Sequence, residues 1–184
     1  MRYIVIDIET TGLDPDKNQI LEVAAIIAEW GSKTPVAALR CVFVDEIEYT
    51  IGRYCMKMHR ALFDEIESWR AGAEPNHRGS GSTQYIPTGE FDAVFRAFLA
   101  EHGVDKVIVA GKSVTFDLSF LTLITGVRFS KRILDPTIFF IRPEDTAPPD
   151  LATCCSRAGI EWSNRHTALS DAMAVLELIC HATI

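Results

Sequence analysis

The sequence predicts an α/β fold built around a mixed sheet, and three observations lead there. The first part of the chain is rich in β-branched residues set between short turns. The remainder alternates helical and strand periodicities. No internal repeat and no linker divides the 184 residues, so they read as one domain, 1–184. At that length a domain buries roughly 70% of the surface its unfolded chain exposes, enough to need no staple.

The elements follow in order. Residues 2–9, 19–30 and 36–44 read as three strands. Asp14-Pro15-Asp16 makes the first turn, and the segment Gly31-Ser32-Lys33-Thr34-Pro35 makes the second. An amphipathic helix spans about 58–70. Residues 71–89, with Gly72, Gly79, Gly81, Gly89, Pro75 and Pro87, read as a long mobile loop. A helix over 89–101 carries Phe91, Val94, Phe95 and Phe98 at helical spacing. "KVIVAG" (106–111) is a short buried strand, "FDLSFLTLIT" (116–125) a helix and "RILDP" (132–136) a short strand. "DLATCCSRAG" (150–159) and "HTALSDAMAVLELICHA" (166–182) are the closing helices.

Composition narrows the setting. No apolar run approaches the ~20 residues that span a bilayer. The first apolar stretch is interrupted by Asp7 and Glu9, unlike a signal peptide, so the expectation is a soluble, cytoplasmic protein with no membrane partner. Cys41, Cys55, Cys154, Cys155 and Cys180 are odd in number and lack metal-type spacing, which predicts reduced thiols. A net charge of −7 argues against tracking a long nucleic-acid backbone, but not against gripping a chain end through cations.

"IVIDIETTGLD" (4–14) places Asp7 and Glu9 at the end of an apolar strand. Alternation puts Tyr3, Val5, Asp7 and Glu9 on one face, and Ile4, Ile6 and Ile8 on the other. Asp117 shares the apolar stripe of its helix with Phe120, Leu121 and Ile124. Asp171 has Ala168, Val175 and Leu178 as helical neighbours, away from the polar side of Ser170, Glu177 and His181. Each has a plain explanation alone: a solvated strand end, or an acid facing a helix dipole. Jointly they ask for more, because no Lys or Arg at helical or strand spacing pairs with Asp7, Asp117 or Asp171. Two carboxylates about 4 Å apart repel by roughly 4 kcal/mol at an effective dielectric near 20. Protons or hard divalent cations compensate such a cluster, and Mg²⁺ or Mn²⁺ suits oxygen ligands.

These residues, in this order, resemble the DEDD superfamily of 3′–5′ exonucleases in its histidine subclass. That subclass holds polymerase III proofreading subunits, RNase T and oligoribonuclease. The motifs are "IDIETTGLD", "AGKSVTFDLSFL" and "HTALSDA", with His166 and Asp171 in the last. A tyrosine-subclass member would carry Tyr at position 167, where this chain has Thr167. The resemblance implies an RNase H-like fold, a mixed five-stranded sheet flanked by helices. It implies two divalent cations held by Asp7, Glu9, Asp117 and Asp171, with His166 as general base. The implied reaction removes nucleoside 5′-monophosphates from the 3′ end of single-stranded DNA or RNA.

Family members hold the terminal nucleotide near the first motif. By position, Thr10, Thr11 and Leu13 are the candidates here, with Met58, His59 and Ser113 behind them. Plain packing is the alternative for Leu13 and Met58, an exposed helix position for His59, and a turn-forming serine for Ser113. Arg128, Lys131 and Arg132 form a small basic cluster that reads as solvated surface. Lys112-Ser113 departs from the His-Asn of many proofreading members and looks more like oligoribonuclease, whereas "ETTG" and "HTALSDA" look like the proofreading and RNase T side. An enzyme confined to very short RNA therefore stays open, as does a non-catalytic nucleic-acid-binding module. A homodimer and a polymerase partner stay open too.

Overall fold

The computed structural model describes residues 1–46, 51–73, 82–162 and 166–183. Six strands form one mixed sheet in the order β4-β3-β2-β1-β5-β6. They are β1 Arg2–Thr10, β2 Ile20–Glu29, β3 Ala37–Phe43, β4 Ser82–Ile86, β5 Val107–Ala110 and β6 Phe129–Leu134. The helices are α1 Arg53–Met58, α2 Arg60–Arg70, α3 Phe91–Glu101, α4 Thr115–Ile124, α5 Leu151–Ala158 and α6 Ala168–Ala182. β1, β2 and β3 pair antiparallel, whereas β4, β5 and β6 join by parallel ladders.

Three details correct the sequence reading. The sheet has six strands, not five, because Ser82–Ile86 adds to β3 as an edge strand. Part of the expected 71–89 loop is therefore sheet, and its residues 74–81 lie outside the described residues. The helix expected to start near Met58 is two, α1 and α2, meeting at His59. The last strand begins earlier than expected, at Phe129, and a 3₁₀ turn over Pro136–Phe140 follows it.

The sheet is covered on both faces, which explains why its central strands are apolar on both. On one face Ile4, Ile6 and Ile8 pack with Val23, Ala25 and Ile27 beneath Phe91, Phe95, Phe120 and Leu121 of α3 and α4. On the other, Tyr3, Val5, Ala24, Ile26 and Ala28 meet Ala168, Ala172, Val175, Leu176 and Ile179 of α6. Alanines on strand and helix let α6 lie close to the sheet. All five cysteines are free and buried, as small apolar packing residues. Among the described residues no helix is long and apolar enough to cross a membrane.

Candidate active site

β1 and β5 are parallel neighbours only through Ile4–Val109 and Val5–Ala110. Past that point β1 runs on beside β2, and its open edge faces the start of α4. There the amide of Ile8 donates to Asp117 Oδ1 at 3.0 Å, a buried bond that ties α4 to the strand. Gly111, between β5 and α4, makes this approach possible. A Cβ at that position would stand 2.9 Å from the Ile6 carbonyl oxygen and 2.8 Å from the Val114 side chain.

Asp7 and Glu9 project from the α6 face of β1, as alternation requires. Asp171 arrives from the first turn of α6. Carboxylate oxygens of Asp7, Glu9 and Asp171 all lie within 4.8 Å of one another. Asp117 stands close enough to raise the pKa of Asp7. Three of the four acids predicted from separated motifs thus meet, and Asp117 acts on Asp7 and Glu9 through its charge.

Their environment favours protons over bare charge. Burial pushes Asp7 well up, and repulsion from Asp117, Asp171, Glu9 and Glu22 adds to it. Glu9 is pushed up to about 9, by burial first and then by Glu22, Asp171 and Asp117. Burial also raises Asp117, opposed by its bond from the Ile8 amide. Such a cluster with hard oxygen donors fits divalent cations, which would replace the protons and cancel the repulsion.

The sequence reading missed Glu22. It is the cross-strand partner of Glu9 in the β1–β2 ladder and is wholly buried. Its Oε1 accepts from Arg40 Nε at 2.5 Å, and its Oε2 accepts from the Ala168 amide at 3.3 Å. Arg40 forks onto Glu65 at 2.6 and 2.9 Å, and Glu65 accepts from the Tyr85 hydroxyl at 2.5 Å. The signal was available: a carboxylate inside "ILEVAAII" breaks an apolar strand as Asp7 does.

Two histidines flank the acids. His59, at the α1–α2 junction, is 3% exposed, with Nδ1 3.3 Å from Glu9 Oε2. That pair lacks hydrogen-bond geometry, and Nδ1 has no other partner. Burial, then the neighbouring His166, lowers the His59 pKa to about 4, so its imidazole is neutral at pH 7. His166 is exposed, with φ of 66°, in the left-handed region that β-carbon-bearing residues seldom adopt. Thr167 follows it as the α6 N-cap, accepting from the Ser170 amide.

The remaining candidates separate. Thr10 and Thr11 are buried, and their hydroxyls serve the turn. Thr10 donates to the Gly12 carbonyl at 2.6 Å, and Thr11 accepts from the Gln19 amide at 2.9 Å. Leu13 is 83% exposed, with no packing role, while Met58 is half-buried. Cys55 anchors α1 to this turn through its thiol, which donates to the Thr10 carbonyl. Ser113 is exposed with φ of 54°, its amide donating to Asp135 and its hydroxyl accepting from Lys112. Arg128, Lys131 and Arg132 are exposed on and beside β6.

The chain is similar to several known nucleases. Residues 4–69 match a family model described as RNase_T, exonuclease. Ribonuclease T of Marinobacter nauticus is 24% identical over 188 residues, covering 96% of this chain and 80% of that protein. Oligoribonuclease of Bordetella pertussis is 29% identical over 126 residues, covering 65% of this chain and 61% of that protein. A structure of exonuclease I superposes with a TM-score of 0.70 at 18% identity, covering 98% of this chain and 40% of that one. A zinc-bound form of the E. coli exonuclease I complex with single-stranded DNA gives 0.69 at 18%, covering 96% and 39%. This chain therefore spans about two-fifths of the length of those exonuclease I chains.

Proposed function

We propose that this chain belongs to the DEDD superfamily of 3′–5′ exonucleases and uses divalent cations to hydrolyse the terminal phosphodiester of single-stranded nucleic acid, a reading supported by its likeness to the exonuclease family model and to ribonuclease T. The reading is carried by the convergence of Asp7, Glu9 and Asp171 within 4.8 Å. Mg²⁺ or Mn²⁺ fits these all-oxygen donors, with Asp117 contributing from α4. Bound cations would lower the pKa of a water and stabilise the departing oxygen.

The chain's own groups do the rest. Asp7, Glu9 and Asp171 would hold the cations, and Asp7 feels the charge of Asp117 as well as that of Glu9 and Asp171. His166, exposed just before the start of α6, takes the proton of the attacking water as general base. His59, neutral at pH 7, borders Glu9 without adding charge. Leu13 is exposed at the turn beside the acids, where an apolar side chain can press on the terminal base. Thr10 and Thr11 hold that turn in place through their hydroxyls, leaving substrate contact to its backbone.

A single strand with a free 3′ end is the proposed substrate, in keeping with the oligonucleotide-bound exonuclease I neighbours. The likeness to oligoribonuclease keeps very short RNA as the second reading. Side-by-side digestion of single-stranded DNA, duplex DNA, long RNA and dinucleotides, with Mg²⁺ or Mn²⁺, separates the two. Stepwise release of nucleoside 5′-monophosphates from long single strands supports the first, and turnover confined to dinucleotides supports the second. Binding without turnover in either metal would instead mark a non-catalytic module.

A further inference from the structure

Glu22 is a wholly buried carboxylate that its strand does not need. Its neighbours Leu21, Val23, Ala24 and Ala25 are apolar and buried, and the strand pairs on both sides through its backbone. A negative charge there also works against the acids beside it, raising the pKa of both Asp7 and Glu9. Local packing would be better served by an apolar residue, so another requirement has to account for it.

The contacts of Glu22 indicate that requirement. One oxygen is held by Arg40 at 2.5 Å, and Arg40 is itself clamped by both oxygens of Glu65. The other oxygen accepts from the Ala168 amide at the first residue of α6. A carboxylate is suited to a helix start, where unsatisfied amides and the helix dipole attract negative charge. Ala168 lies two residues after His166 and three before Asp171. The row Tyr85–Glu65–Arg40–Glu22 therefore joins an edge strand and α2 to the helix start that follows His166 and carries Asp171 in its first turn.

We infer that Glu22, braced by Arg40 and Glu65, is a positioning residue that fixes the start of α6 and so aims Asp171 and His166 at Asp7 and Glu9. The inference rests on the nuclease reading above for its functional meaning. Its geometric content, the dependence of the Asp171 site on Glu22, stands on its own. Groups that orient metal ligands typically matter by about 10- to 100-fold in metal affinity or activity.

Glu22→Gln is the decisive variant in the full chain. It keeps the volume, but one amide oxygen cannot serve both the Arg40 and Ala168 donors. The expected result is a kcat lowered by about 10- to 100-fold with little change in KM, alongside weaker Mn²⁺ binding by calorimetry without substrate. Hydrogen exchange at the Ala168 amide should accelerate. Arg40→Lys, which loses the planar fork, should act in the same direction but more weakly. The double variant should be no worse than Glu22→Gln alone, since both act through one row. Variants that melt earlier yet keep wild-type kcat and Mn²⁺ affinity would overturn the inference. Should Glu22→Gln fail to fold, Glu65→Gln at its part-exposed site decides by the same readouts, and unchanged values overturn it. A wild-type chain inactive on every substrate would defeat the nuclease reading, while Mn²⁺ affinity and exchange at Ala168 still judge the positioning.

Discussion

Glu9 and Glu22 face each other across the β1–β2 ladder, two buried carboxylates on one side of the sheet at neighbouring positions. Like charges directly opposite destabilise a sheet pair. Here the pair is held apart in chemistry: Glu22 is bound to Arg40 and the start of α6, while Glu9 turns toward Asp7, Asp171 and His59.

Without metal, the protein should lose stability as pH rises. The folded state holds the Glu9 proton up to about pH 9, whereas the unfolded chain releases it near pH 4.5. Between those limits the folded state binds more protons, so unfolding becomes easier with each step upward. Melting temperatures in EDTA should fall from pH 5 to 9. Mn²⁺ should raise them most at the alkaline end, and Glu9→Gln should flatten the EDTA profile.

The two histidines should be separable by substitution. His59, lowered to about 4, cannot supply a rate change near neutrality. His59→Gln should therefore keep the position of the acidic limb of kcat. His166→Ala should lower kcat by about 10²- to 10⁴-fold. Near-full rate in His166→Ala at saturating Mn²⁺ would remove it from the general-base role.

Arg40→Met should be costly at neutral pH. It strands Glu22 with a helix amide and no counter-charge, a change that typically costs about 3–5 kcal/mol. Urea unfolding should show the loss, and it should shrink toward pH 5 as Glu22 takes up a proton. The direction agrees with burial already raising the Glu22 pKa against the pull of Arg40.

Gly111→Ala should disturb catalysis through geometry. The added Cβ meets the Ile6 carbonyl and Val114, forcing β5 and α4 away from β1. Overpacking of this kind costs about 1–3 kcal/mol. A shift of about 1 Å in Asp117 can cost on the order of 10²-fold in rate. Activity should fall further than the melting temperature suggests.

The acids were legible because each interrupts an apolar pattern: Asp7 and Glu9 at a strand end, Asp117 and Asp171 on helix stripes. Glu22 interrupts one too, but its compensation comes from Arg40 on the next strand, and long-range pairing leaves no mark in local spacing. His59 reads as an exposed helix residue from its neighbours, yet it is buried where α1 meets α2. "STQYI" was hidden for another reason. An edge strand pairs on one side alone, so its residues need not be apolar, and it follows a run of Gly and Ser. The hydroxyls of Thr10 and Thr11 could not be placed from spacing, since their partners Gly12 and Gln19 are set by the turn itself.

The most direct measurement follows a 5′-labelled single-stranded oligonucleotide in Mg²⁺ or Mn²⁺, with the wild-type chain beside Asp7→Asn. Asp7 is repelled by each of the other three acids, so its loss should abolish cation-dependent cleavage while the fold persists. The predicted result is a ladder shortening one nucleotide at a time from the 3′ end, with 5′-monophosphate products, in the wild type alone. An identical ladder from Asp7→Asn would contradict the account.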